Sequence, residues 1–299
     1  MRASRVSAVV AVVAILAISL YSAYTINGVI TSNAPTVAFT LGSAYRDVTY
    51  CNAQTLDLYV PTAAARPLPL AVFVHGGGFH SGDKADINPE FLNALASAGY
   101  AVASVNYQLA PLAKYPTQFE DVECALRFLH YNAQVYGING SEMFAFGTSV
   151  GGEMVALAAL IGSHSVFNVG PYLNESSSIV AGVDLFGPAD LISCGCFSNV
   201  TTMVFGNNQT LMRLASPMNY IRQNAPPLLL IQGMNDSTVP MSQAVEFYNA
   251  LAAAGDRTQL IMVQNMGHMF VQVGSNPIDP SLQQMAQDIV SFFGQYRSG

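Results

Sequence analysis

The sequence predicts a three-layer α/β fold, a mostly parallel sheet of about eight strands with helices on both faces and a small cap. Three observations carry that reading. Short β-rich apolar runs alternate with helical patterns from Arg46 onward. Several runs, PLPLAVFV at 67–74 and APPLLLIQG at 225–233 among them, are apolar throughout, as strands covered on both faces must be. Of the 299 residues 51% are hydrophobic and only 10% charged, against about 25% charged in an average soluble domain. This length and composition suit one large α/β domain and exclude disorder, coiled coil and collagen.

The first element is apolar. After Arg5 no charged side chain appears until Arg46, and Val6–Ile26 reads VSAVVAVVAILAISLYSAYTI, about the 20 residues a helix needs to cross a bilayer. Residues 1–30 are therefore read as a membrane anchor or signal segment. Tyr21 spoils cleavage after Ala23 and Pro35 follows Ala34, which favours an uncleaved anchor. Arg2 and Arg5 would stay cytoplasmic and place the remainder outside. Residues 31–45, uncharged and containing Pro35 and Gly42, read as a tether or flap, and residues 46–299 as one domain.

Within that domain, strand runs are expected at Leu56–Val60, Leu70–Val74, Ala101–Asn106, Met143–Phe146, Ile179–Leu185, Leu228–Gln232 and Leu260–Val263. Helical patterns lie near Pro89–Ala98, Thr117–Tyr136, Val150–Ile161, Ser242–Ala254 and Ser281–Tyr296. The interval Gly187–Tyr220 is too long for a simple connection and is the cap candidate.

Charge and cysteine content narrow the partners. With 11 Lys plus Arg against 18 Asp plus Glu, a nucleic-acid surface is not expected. Lysine occurs only at Lys84 and Lys114, which suits an acidic habitat where positive charge would otherwise accumulate. The four cysteines, Cys51, Cys124, Cys194 and Cys196, form no CxxC or Cys/His cluster, so no metal is implied. Outside the cell they would form one or two disulfides, of a pairing that spacing leaves open. Sequons begin at Asn139, Asn174, Asn199, Asn208 and Asn235, and in so Asn- and Ser-rich a chain they leave glycosylation open.

Chemistry enters at GTSVG, Gly147–Gly151, between a strand and an Ala-rich helix. A G-x-S-x-G pattern in that context makes a sharp turn that lifts the serine hydroxyl above the sheet, with a helix N-terminus beneath it. Ser149 is the candidate nucleophile. HGGGF at His75–Phe79 follows the buried strand run Leu70–Val74, and three glycines in succession free backbone N–H groups to face one oxygen. Gly77, Gly78 and Val150 are the candidate oxyanion donors.

The base follows by elimination among five histidines. His75 and His80 belong to the glycine loop, His130 lies on a helical pattern, and His164 ends the helix after Ser149. His268, in NMGHMF past the run Leu260–Val263, remains, and it also satisfies the chain order serine, acid, histidine. The acid is sought among Glu153, Glu175, Asp184, Asp190, Asp236, Glu246 and Asp256. Asp236, in QGMNDSTVP after the run Leu228–Gln232, sits at the carboxyl edge of the sheet and is preferred. Asp184 and Asp190 stand in reserve, and Glu153 is read as complementing the helix dipole. Bulky Phe79 and His80 are candidate substrate contacts. With Phe197, Met203, Phe205, Leu211 and Met212 of the cap interval they suggest a short acyl pocket, taking acetyl to roughly hexanoyl chains under a cap too small for a lipase lid.

HGGGF, NYQLAP at Asn106–Pro111, GTSVGG, GMNDSTVP and GHMF, in that order, resemble the α/β-hydrolase carboxylesterases of the hormone-sensitive-lipase and acetylxylan or feruloyl esterase branch, over about Arg46–Tyr296. The resemblance implies the α/β-hydrolase fold, a triad of Ser149, Asp236 and His268, and an oxyanion hole in the 75–78 loop. Serine hydrolysis of short-chain, acetyl-type esters, without a cofactor, would follow. Three positions depart from the pattern: Thr148 where an acidic residue is common, Gln108 where arginine is usual, and Glu153 after the second glycine. They bear on substrate and pH optimum, not reaction type. An amide hydrolase such as an arylformamidase would use the same residues. A catalytically silent binding fold would need none of them in place.

Overall fold

A computed structural model describes residues 41–62, 66–162, 166–196 and 198–298. The expected anchor, Val6–Ile26, lies outside the described residues, as do residues 31–40 of the expected tether, His164 and Phe197. Among the described residues no helix is long and apolar enough to cross a membrane.

The chain forms β1 (Leu41–Thr49), β2 (Thr55–Pro61), β3 (Leu68–Val74), α1 (Pro89–Ser97), β4 (Ala101–Val105), α2 (Thr117–Tyr131), α3 (Ala133–Tyr136) and β5 (Ile138–Thr148). There follow α4 (Val150–Ile161), β6 (Gly182–Leu185), α5 (Ser198–Phe205), α6 (Gln209–Ala215), β7 (Leu228–Gly233), α7 (Met241–Ala254), β8 (Thr258–Val263) and α8 (Leu282–Gly294). The eight strands make one sheet in the order β1-β2-β4-β3-β5-β6-β7-β8. β2 runs antiparallel to both β1 and β4, and every other pairing is parallel. The expected mostly parallel architecture is observed.

Of residues 31–45, read as a tether or flap, the last five belong to the sheet as the start of β1. Ser43–Asp47 is solvent-exposed, and the pairing with β2 shifts register twice, so an edge strand here carries no apolar alternation to read.

The uniformly apolar strands follow from burial on both faces. Leu70, Val72 and Val74 of β3 join one core, with α2 and α4, while Ala71 and Phe73 join another, with Phe91 of α1 and Phe292 of α8. Successive side chains alternate between faces, so both sets must be apolar. The cap interval supplies α5 and α6. Disulfides link Cys51 to Cys124, fastening the turn after β1 to α2, and Cys194 to Cys196 ahead of α5.

Candidate active site

The loops after β3, β5, β6, β7 and β8 leave the same edge of the sheet, and the site is built on them. At the end of β5 the chain turns into α4 through Ser149, held at φ 54° and ψ −126°. A β-carbon on Gly147 would lie 2.3 Å from the Gly151 carbonyl, and one on Gly151 2.2 Å from that of Val74. Both positions therefore require glycine. The Ser149 N–H donates to the Leu185 carbonyl at 2.8 Å, fixing the turn to β6.

Ser149, His268 and Asp236 converge as expected. The Ser149 hydroxyl donates to His268 Nε2 at 3.0 Å, and His268 Nδ1 donates to Asp236 Oδ2 at 2.7 Å. This pair of bonds selects the tautomer with the proton on Nδ1, leaving Nε2 as the acceptor. Asp236 Oδ1 accepts the N–H groups of Thr238 and Val239 at 2.8 and 2.9 Å. Burial alone would raise the carboxyl pKa, but the bonds from His268, Val239 and Thr238 outweigh it, and Asp236 lies below its ordinary value. It is thus held ionised. The ring of His268 meets Phe186 edge-on, centroids 5.0 Å apart.

The reserve acids are occupied elsewhere. Asp184 is buried on β6, where its Oδ1 accepts the Gly187 N–H, and Asp190 Oδ1 accepts that of Ile192. Glu153 departs from the expected dipole partner. It stands in the first turn of α4 but is fully buried, and neither of its oxygens has a partner among the described residues. Burial first, and the charge of Asp184 second, push its pKa well above the ordinary value. A protonated acid brings no charge to the helix terminus.

The candidate oxyanion donors lie beside the turn. Among the described residues the N–H groups of Gly77, Gly78 and Val150 donate to no other group. Gly77 sits at φ +108°, and its carbonyl accepts from the backbone of His80 and Ser81, curling the loop. His75 braces it from beneath, donating from Nδ1 to the Gly76 carbonyl at 2.7 Å and stacking on Tyr107, 4.2 Å between centroids. Burial lowers the His75 pKa, so its ring is neutral. The Tyr107 hydroxyl donates to the carbonyls of His75 and Gly76. In the sequence Tyr107 carries no mark of this role beyond NYQLAP.

The structure separates Phe79 from His80. Phe79 is buried between the oxyanion loop and the cap, 5.7 Å from Phe205 and 6.1 Å from Tyr115 between centroids, so it is packing and not an open wall. His80 is exposed beside Gly78. Gln108, the departure from arginine, donates its backbone and side-chain N–H groups to the buried Asp121, which also accepts from Asn52. The Gln108 amide therefore has a structural partner. Among the described residues no group of His, Cys, Asp and Glu could hold a metal ion.

Comparison with known proteins follows the same lines. The BD-FAE family model matches residues 56–251. The esterase LipC of Mycobacterium tuberculosis is 28% identical over 234 residues, 73% of this chain and 57% of that protein. The isoprenylcysteine alpha-carbonyl methylesterase ICME of Arabidopsis thaliana is 23% identical over 252 residues, 79% of this chain and 58% of that protein. The chain spans about half the length of the curated relatives it matches. Among solved structures, a truncated carbohydrate esterase from gut microbiota superposes with a TM-score of 0.74 at 24% identity, covering 88% of this chain and 98% of that one. An acetyl ester-xyloside bifunctional hydrolase from Caldicellulosiruptor lactoaceticus gives 0.71 at 20%, covering 86% and 97%. The shared architecture is the α/β-hydrolase fold that the motifs implied.

Proposed function

The chain belongs to the BD-FAE family, and we propose that it is a serine carboxylesterase cleaving short-chain, acetyl-type esters through an acyl-enzyme on Ser149. The observation that carries this reading is the continuous relay from Ser149 Oγ through His268 to Asp236, at 3.0 and 2.7 Å. Named esterases among the relatives support the same reaction type.

In this scheme Ser149 Oγ bonds to the ester carbonyl carbon as His268 Nε2 takes its proton. The carbonyl oxygen becomes an oxyanion facing the N–H groups of Gly77, Gly78 and Val150, each worth roughly 2.7 to 4 kcal/mol to the transition state. Asp236 stabilises the imidazolium. Collapse breaks the carbon–alkoxide bond, and the leaving oxygen takes the proton from His268. Water then repeats the sequence, with His268 again as base, releasing the acid and restoring Ser149.

Short acyl chains are favoured in this reading because Phe79, Tyr115 and Phe205 fill the space beside the oxyanion loop. The two disulfides support a location outside the cytoplasm, since such bonds persist in oxidising compartments. A series of p-nitrophenyl esters tests the substrate class. Turnover should peak between acetyl and hexanoyl, and a maximum at dodecanoyl or beyond would sink it. Protease added to intact cells should reach residues 46–299. Protection there would place the enzyme inside.

A further inference from the structure

Gln232, the penultimate residue of β7, is fully buried. Its side-chain Nε2 faces three oxygens: the carbonyls of Gly233 and Val239, at 3.3 and 3.1 Å, and Asp236 Oδ2 at 3.3 Å. An atom surrounded by acceptors must be the amide nitrogen, which settles the orientation of the group. Its Oε1 has no partner among the described residues. A buried polar side chain kept with one end unmet needs a reason.

The reason lies in which oxygen it meets. Asp236 Oδ1 is filled by the backbone of Thr238 and Val239, inside its own loop. Oδ2 is the oxygen that accepts His268 Nδ1, and it has one further side-chain donor, Gln232. That donor stands on the strand, so its position is set by the sheet and not by the loop. Val239 is gripped from both sides, its N–H by Asp236 and its carbonyl by Gln232. The amide thus spans the turn carrying the carboxylate and binds the carboxylate within it.

We propose that Gln232 is a positioning residue for the proposed esterase reaction, acting through Asp236 to hold Oδ2 where His268 needs it. The inference rests on the Ser149–His268–Asp236 reading. The titratable groups that face the amide are Asp236, bonded to it, and His268, bonded to the same oxygen.

The full-length chain with Gln232→Met and Gln232→Glu tests it. Methionine keeps the volume and removes the donor. It should lower kcat about 10- to 100-fold, the scale of a misplaced catalytic group, with KM within about twofold. Glutamate beside Asp236 should share a proton with it, because two adjacent carboxylates resist joint ionisation. While protonated, its O–H replaces the amide donor and restores most of kcat. As it ionises, activity should fall along a new alkaline limb that neither the wild type nor Gln232→Met shows. A role confined to packing would leave kcat of Gln232→Met at the wild-type value. Wild-type kcat in Gln232→Met, or a wild-type pH profile in Gln232→Glu, overturns the assignment. Melting curves of both variants separate a loss of fold from a loss of orientation. A wild type that neither hydrolyses esters nor labels at Ser149 with a fluorophosphonate overturns the esterase reading itself. An active, labelled wild type with unaffected Gln232 variants overturns only the role of Gln232.

Discussion

Phe205 of the cap and Phe79 of the oxyanion loop meet edge to face, their planes 87° apart and their centroids separated by 5.7 Å. Both are almost fully buried, and Tyr115 packs against the two of them. The cap therefore bears on the loop that would polarise the substrate. Phe205→Ala should cost about 3 kcal/mol of stability, as aromatic truncations in cores do, and move the acyl optimum toward longer chains. Thermal melts and the p-nitrophenyl ester series measure the two effects. An unchanged acyl profile would remove the cap from chain-length selection.

Asp236→Asn should lower kcat about 10⁴-fold, because the amide favours the wrong imidazole tautomer. Asp184→Asn and Asp190→Asn should stay within a few fold of wild type, since their carboxylates bond backbone N–H groups away from His268. Steady-state kinetics of the three variants rank them. If Asp190→Asn were the most damaging, the acid role would pass to it.

Three buried acids give the protein a pH dependence of known direction. Burial raises Asp184 to about 7, partly offset by the Gly187 N–H, and raises Glu123 to about 7 against the opposing hydrogen bond from Ser177 and the charge of Arg127. Glu153 is pushed well above its ordinary value. A carboxyl whose folded pKa is raised favours folding most below its unfolded value near 4, and that contribution is lost as pH rises through about 7. The unfolding free energy should fall between pH 5 and pH 8 by an amount on the order of a few kcal/mol in total, and the melting temperature should fall with it. Asp184→Asn should flatten the fall. A melting temperature that climbs from pH 5 to pH 8 would contradict this account.

The two disulfides should differ in their effect on stability. Cys51 and Cys124 are 73 residues apart in sequence and Cys194 and Cys196 only 2. Loop-closure entropy then assigns about 4 kcal/mol to the first and about 1.5 kcal/mol to the second. Denaturant titrations of the double serine variants check the order. Equal losses would mean that the short bridge holds the cap loop by contacts and not by entropy.

Much of this molecule was legible because its physics is local. β3 and β7 announce themselves as continuous apolar runs, since helices cover both faces, and Gly147 and Gly151 are dictated by backbone approach within one turn. Chain order and strand ends single out Asp236 and His268, the two residues that the structure brings together with Ser149. What stayed hidden depends on long-range placement. β1 is an exposed edge with shifted register, so no periodicity marks it. Glu153 reads as an ordinary first-turn acid, and only its burial beside Asp184 makes it neutral. Phe79 looks like a pocket wall until Phe205 arrives from the cap, and Tyr107 and Gln232 act on partners that the sheet brings to them.

Whether Ser149 is the nucleophile is decided by a fluorophosphonate probe followed by peptide mapping. One adduct per chain should form, on the peptide carrying Ser149, with esterase activity lost in step with labelling. Ser149→Ala should take no label and lose about 10⁶-fold in turnover while keeping its melting temperature. An adduct on another residue, or a folded Ser149→Ala variant that still hydrolyses esters at more than a few per cent of the wild-type rate, would contradict that role.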